Sequence, residues 1–360
     1  MANIVKGIIL SGGTGSRLRP ITYTEPKQLI PVANKPVLEY AIDDLRDAGI
    51  TDIGIVLGQH GADAIQRTLG DGSELGVDLT YIAQGTPLGL AHAVGCARDF
   101  VGDDPFVVYL GDDLLGGNIS ELVAEFDPET HAASIAVQTV DDPSRYGIVD
   151  ENDRGDVVSL VEKPDDPPGR SAIIGVYVFT PTIFEYIEGL ESSWRGEFEI
   201  TDAIQRLLDG GHRVQSHSIG GWWKDTGTPE DIVHANRLVL DDIEPTIRGN
   251  IDEDATVDGR VDLGEGSVVE AGSTVRGPVL IGEGVRVRDG AYVGPYTSIG
   301  DDCVIERVHL EASVVMEGAT VTTAETIVDS LLGPDTSVTA RDAEPRGDRL
   351  VIGRDTSVNL

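Results

Sequence analysis

Gly12, Gly13 and Gly15 are followed by Arg17 and, ten residues further on, by Lys27, in the stretch "LSGGTGSRLRPITYTEPKQLIPV" that begins at Leu10. Glycines carry no Cβ, so their backbone N–H groups can close in on a phosphate. The arginine adds a planar fork of donors matched to phosphate oxygens. Residues of these types at this spacing suit a polyphosphate. The stretch is nevertheless neither of the two common nucleotide loops. No Lys-Ser or Lys-Thr pair follows Gly15, as a P-loop requires, and Leu18 stands where a dinucleotide fingerprint has its third glycine. A plain strand-to-helix connection has no need of two basic residues beside three glycines.

A second group is acidic. Asp112 and Asp113 close the apolar run in "YLGDDLL", and Asp225 lies in "GGWWKDTGTPEDI". Carboxylate oxygens suit Mg²⁺, so Asp112 and Asp225 are a candidate pair for one metal ion bridging phosphate oxygens. A solvated Gly-Asp turn accounts equally for the first motif. An N-cap or Asx-turn, ahead of a helix expected from Pro229, accounts for Asp225. Lys163 in "LVEKP" and Arg195 in "WRGEFEITDAI" are either ligands for an anion or surface charges. Glu162 and Lys163 are neighbours, and successive side chains of a strand point to opposite faces, so they need not pair with each other.

The elements that must hold these groups alternate in type. Strands are expected at Val5–Leu10, Asp52–Leu57, Asp78–Ala83 and Phe106–Leu110. Helical spacing appears between them in "PVLEYAIDDLRDAG", "GADAIQRTLG" and "PLGLAHAVGCARDF", the first with Gly49 as its stop. This alternation predicts an α/β fold, a Rossmann-like and mostly parallel sheet flanked by helices over residues 1–240. Its ligands belong at the C-terminal ends of the strands.

After "DDIEPTIRG", read as a linker over 241–249, the period changes. Ile251, Val257, Leu263, Val269, Val275, Ile281, Val287, Val293, Ile299 and Ile305 recur at intervals of six, each followed four residues later by a mostly small residue. Such a period predicts a hexapeptide β-helix over 250–360. The register slips after Ile305, which is expected to mark a loop or turn on the coil. It resumes at Val315/Val321 and again at Ile352/Val358, the latter read as an atypical cap. His309, four residues after Ile305, is expected to face inward.

Composition narrows the function. The chain has 27 basic against 62 acidic residues, a net charge of -35, which repels nucleic acid and anionic membranes. Only Lys6, Lys27, Lys35, Lys163 and Lys224 are lysines. Acid excess with scarce lysine fits high salt, where self-repulsion is screened. Two cysteines, Cys96 and Cys303, form no disulfide framework or Cys-rich metal site. With neither a secretory pattern nor a membrane-length apolar run, a cytoplasmic location is expected.

Taken in order, "KGIILSGGTGSRLRPITYTEPKQLIPVANKPVLEY", "QGTPLGLAHA", "YLGDDLL", "RYGIV", "LVEKP", "IIGVYVF", "RGEFEITDAI" and "KDTGTPED" resemble the sugar-1-phosphate nucleotidylyltransferases. Within that family they are most similar to the long form of the glucose-1-phosphate thymidylyltransferases, whose coil is a left-handed β-helix, here with a haloarchaeal-like composition. The resemblance implies that Leu10, Gly12, Gly13, Gly15 and Arg17 serve the nucleoside triphosphate, with Lys27 close by. It implies that Gln84 and Gly89 contact a pyrimidine base, and that Asp112 and Asp225 hold Mg²⁺. Gly147, Glu162 and Gly175 correspond to sugar contacts, with Tyr177 nearby, and Lys163 and Arg195 to groups on the sugar phosphate. The implied reaction is attack of a sugar-1-phosphate oxygen on the α-phosphorus of dTTP or UTP, with pyrophosphate leaving. No general base is needed, since the attacking phosphate is already ionised. Two readings stand beside it: a bifunctional enzyme whose coil also transfers acetyl groups, and a non-catalytic subunit on the same scaffold. Homo-oligomerisation through the coil or the catalytic domain is also expected.

Overall fold

In the computed structural model, residues 6–152 and 154–340 are described. The first part is a nine-stranded sheet. At its centre Lys6–Ser11 pairs in parallel with Asp52–Gly58 on one side and Phe106–Leu110 on the other. Asp78–Gly85 extends the parallel set, and Ser171–Phe179 joins Phe106–Leu110 antiparallel. Side chains alternate along these strands between two cores. Ile8, Leu10 and Val108 enter one, while Ile9, Val107 and Tyr109 enter the other. Burial of both faces is what an interior parallel strand requires, and it explains the unbroken apolar runs.

The helix Val37–Asp47 buries Val37, Leu38, Ala41, Ile42 and Leu45 on one face. It stops where Gly49 takes φ 84°, with the Ile50 N–H bonded to the Leu45 carbonyl at 2.9 Å, a turn that a left-handed glycine makes possible. On that helix Asp44 accepts a hydrogen bond from the buried Tyr109 hydroxyl at 2.7 Å. Burial pushes the Asp44 carboxyl up to about 6. A carboxyl raised above its unfolded value of ~3.9 binds its proton more tightly in the folded chain, so stability falls as pH rises from about 4 to 6. Asp44→Asn keeps an acceptor for Tyr109 and removes the charge. Thermal unfolding at pH 7.5 should show it more stable than wild type by roughly 1–3 kcal/mol, with a flatter profile between pH 4 and 6. A lower melting temperature at pH 7.5 would contradict this account of Asp44.

The second part is a coil of three parallel sheets, in agreement with a left-handed β-helix. From Asn250, opposite Val268, to Val287, opposite Ile305, each paired residue meets the one eighteen positions on, as Val261 does with Val279 and Val279 with Thr297. The six-residue period therefore makes one side of a three-sided turn. Leu263, Val269, Val275, Ile281, Val287, Val293, Ile299 and Ile305 all line its buried interior. Thr246–Ile247, within the segment read as a linker, already pairs with Asp262–Leu263. Among the described residues the three strands of the first turn are bonded on one side only, and there Ile247 and Ile251 are 50% and 39% exposed.

Of the loop or turn expected at the slip after Ile305, the structure shows turns, with nothing inserted. Val293 pairs with Leu310, seventeen positions on, and Ile299 with Val315, sixteen on. Two successive corners have each lost one residue. Arg307 and Ala312, at φ 54° and 48°, make the tighter turns. This shift corrects the expectation for His309: Val308 and Leu310 are buried, while His309 points outward, paired with Glu311 at 3.4 Å. The resumption at Ile352/Val358 lies outside the described residues. Among the described residues no helix is long and apolar enough to cross a membrane.

Candidate active site

Two adjoining cavities open at the C-terminal ends of the parallel strands. The first, about 300 Å³, is lined by Leu10, Gly12, Gly13, Lys27, Gln84 and Gly89 among others. The second, about 200 Å³, contains Arg17, Asp113, Gly147, Glu162, Lys163, Gly175, Tyr177 and Asp225 in its wall. Leu90, Leu110 and Asp112 belong to both. Of the candidate residues only Gly15 and Arg195 lie outside these linings. Gly15, at φ 60°, lies under the Lys27 stem, where an added Cβ would sit 3.0 Å from the Lys27 Cβ. Arg195 stands behind the wall and pairs with Glu162 at 3.6 Å, Glu199 at 3.3 Å and Glu197 at 3.1 Å.

The glycines admit side chains rather than merely allowing turns. A Cβ on Gly12 would lie 2.3 Å from Gln84 Oε1, and one on Gly13 would lie 2.8 Å from Lys27 Cε. Gln84 Nε2 donates to the Gly89 carbonyl at 3.3 Å, which leaves its carbonyl oxygen turned towards Gly12.

Three carboxylates converge where the cavities meet. Trp223–Asp225 pairs antiparallel with Asp113–Leu115, setting Asp225 opposite Asp113. The Thr226 hydroxyl and N–H donate to the Asp112 carbonyl at 2.7 and 3.1 Å and fix that junction. The N-cap ahead of the Pro229 helix is Thr228, not Asp225. Lys27 Nζ binds Asp112 Oδ2. Burial alone would lower the Lys27 ammonium, but Asp112, Asp225 and Asp113 together hold it above the ordinary lysine range. Burial and the Asp112 charge push the Asp225 carboxyl up, and the same two causes with Asp225 push up Asp113.

Among the described residues no group of three or more His, Cys, Asp or Glu side chains is arranged to hold a metal by itself. The pair Asp112 and Asp225 nonetheless fits a hard divalent cation. Both offer oxygen donors, their mutual repulsion is what such an ion relieves, and no other side chain or amide among the described residues donates to the Asp225 carboxylate. One or two carboxylates completed by substrate phosphates is the usual way of holding Mg²⁺.

Lys163 follows a strand, as expected, and pairs with its neighbour. The strand ends at Glu162, and Lys163 takes φ 42°, which brings its ammonium within 3.8 Å of Glu162. The two are therefore paired, because alternation applies only while the chain stays extended. Glu162 is itself raised by burial, opposed by Lys163 and assisted by Glu199. Gly175 lines this wall and also makes room within it. At φ 76° it leaves the space filled by Asp113, whose Oδ2 would lie 2.0 Å from a Cβ there. Tyr146, Glu199, Thr201 and Trp223 join the second wall unforeseen. Tyr146 and Trp223 meet edge to face, ring centroids 4.9 Å apart. "RYGIV" and "RGEFEITDAI" contain three of these residues and "GGWWKDTGTPEDI" the fourth, but nothing in residue type distinguishes them from core or surface.

Comparison with known proteins agrees with this architecture. The profile described as nucleotidyl transferase matches residues 6–242, and that of the GMPPB C-terminal domain matches residues 275–359. The chain is 58% identical over 99% of its length to all of a Haloferax volcanii protein named low-salt glycan biosynthesis nucleotidyltransferase Agl11. It is 46% identical, over 99% of both chains, to a glucose-1-phosphate thymidylyltransferase of Streptomyces antibioticus. Among solved structures, a putative glucose-1-phosphate thymidylyltransferase of Bacillus anthracis superposes with a TM-score of 0.62 at 40% identity, covering 68% of this chain and 98% of that one.

Proposed function

The chain belongs to the nucleotidyl transferase family, and from that premise we propose that it transfers a nucleotidyl group from dTTP or UTP to glucose-1-phosphate, releasing pyrophosphate. The observation that carries the reading is the junction of the two cavities at Asp112. One cavity has the glycine wall of a triphosphate site, and the other has Lys163 at its mouth with Arg195 behind it. The names of the Haloferax and Streptomyces relatives support the sugar nucleotide as product and glycan assembly as its use.

In this reading Gly12, Gly13 and Gly15 bring backbone donors and Arg17 to the triphosphate, while Lys27 lies alongside. Gln84 and Gly89 meet the base. Thymine and uracil differ by one methyl group, worth about 1–3 kcal/mol in an apolar pocket, so the proposal covers both. Gly147, Glu162 and Tyr177 receive the sugar, and Lys163 faces its phosphate, with Arg195 behind it among Glu162, Glu197 and Glu199. Mg²⁺ held by Asp112 and Asp225 would neutralise phosphate oxygens. One sugar-phosphate oxygen forms a bond to the α-phosphorus as the bond to the bridging oxygen breaks, and that electron pair leaves on pyrophosphate. Both reactants are anionic, so alignment and charge neutralisation by Arg17, Lys27, Lys163 and Arg195 are the chain's main contributions.

The test is pyrophosphate release in molar KCl with MgCl₂, crossing five nucleoside triphosphates with several sugar-1-phosphates. Glucose-1-phosphate with dTTP or UTP should give the highest kcat/KM. Release with no pair, or a purine nucleotide preferred by tenfold or so, would overturn the reading.

A further inference from the structure

One apolar cluster joins parts that the sequence keeps far apart. It contains Leu18 beside Arg17, Ile30 three residues after Lys27, Leu114 beside Asp113 and Ile232 on the helix after Asp225. Val314 and Met316 of the coil complete it. The coil thus packs directly beneath the segments that carry the charged groups of the site.

Polar contacts fix the same junction at one point. Asn236 is fully buried. Its Oδ1 accepts from the Ala33 N–H at 2.8 Å and from the Ser298 hydroxyl at 2.8 Å, and its Nδ2 donates to the Tyr296 carbonyl at 3.1 Å. Asn34 Nδ2 donates to the Ile299 carbonyl at 2.6 Å. Ala33 and Asn34 form the tip of the hairpin Pro31–Val32/Lys35–Pro36, with φ 47° and 60°. Alanine does not adopt that conformation unless its surroundings impose it. The hairpin follows Ile30 directly, and the Ile30 N–H is bonded to the Lys27 carbonyl at 3.2 Å.

We propose that Asn236 is a positioning residue that clamps this hairpin to the coil and so sets the placement of Lys27, which makes the coil part of the catalytic geometry. The proposal rests on the functional reading above for the role of Lys27. It gives the coil a task that needs neither acetyl transfer nor oligomerisation.

Three full-length variants test it. Asn236→Leu keeps bulk and loses the acceptor. Misplacement of a catalytic group should lower kcat about tenfold, with KM for both substrates within about twofold of wild type. Asn236→Asp retains acceptor oxygens for Ala33 and Ser298, so it should keep most of kcat even though a buried charge lowers its melting temperature. Asn34→Gly suits the positive φ and cuts the bond to Ile299. It also removes the Asn34 Oδ1, a buried acceptor with no partner among the described residues, so its melting temperature should hold while kcat falls severalfold. The proposal is overturned if folded Asn236→Leu and Asn34→Gly have wild-type kcat, or if kcat simply follows melting temperature across the three. Should Asn236→Leu not fold, Asn34→Gly decides alone. A wild-type chain that releases no pyrophosphate would instead remove the functional reading itself.

Discussion

Asp225→Asn is expected to abolish nucleotidyl transfer, by on the order of 10³-fold in kcat, while leaving the fold intact or more stable. The two halves of this result have one cause. Asp225 is held in a half-buried position facing Asp112 and Asp113, where burial and like charge both work against its ionised form. An amide of the same shape relieves that repulsion and ends the pairing with Asp112 that suits a divalent cation. The check is pyrophosphate release with MgCl₂ together with thermal unfolding in EDTA. Retained activity would sink the metal assignment. A clear fall in melting temperature in EDTA would sink the electrostatic account of the three carboxylates.

Lys27→Met should fail in the opposite manner, losing both activity and stability. The Lys27 side chain is only 13% exposed and its ammonium rests on Asp112, so it neutralises the carboxylates that Asp225→Asn relieves. Removing one partner of such a buried pair strands the other, at a cost on the order of 3 kcal/mol. Activity should fall by about 10²–10³-fold. Lys27→Arg should restore little, because a planar fork does not reproduce the compact ammonium that meets Asp112 with its tail against Gly13. Steady-state kinetics and urea unfolding on the same samples measure both effects. A Lys27→Met protein as stable as wild type, or an active Lys27→Arg, would refute this placement.

Much of the architecture is legible in the sequence because it rests on short-range periodicity. Ile8, Ile9 and Leu10 declare a strand buried on both faces, and the six-residue recurrence from Leu263 to Ile305 declares the coil wall. The glycine loop is legible because close approach leaves few substitutes for glycine. Other features depend on where the period breaks or on distant contacts. The shortened corners at Arg307 and Ala312 turn His309 outward, and a fixed count of six has no means of showing it. The turn at Lys163 defeats strand alternation in the same way. Gly175 makes room for Asp113, yet 62 positions separate them, and no local pattern links the two. The clamp at Asn236 joins residues from Ala33 to Ser298, so its meaning exists only in the folded chain.

The first turn of the coil has a further consequence. A stack of parallel strands with one unpaired end is a template on which another end can grow, and Ile247 and Ile251 would make that end adhesive. Asp252, Glu253, Asp254 and Asp258 stand exposed along the same rim. Two such rims brought together would have to strip water from facing carboxylates, a cost that dissolved salt does not screen at contact. Part of the chain's acidity therefore acts as a gatekeeper, ending a structure whose own geometry sets no limit to its length.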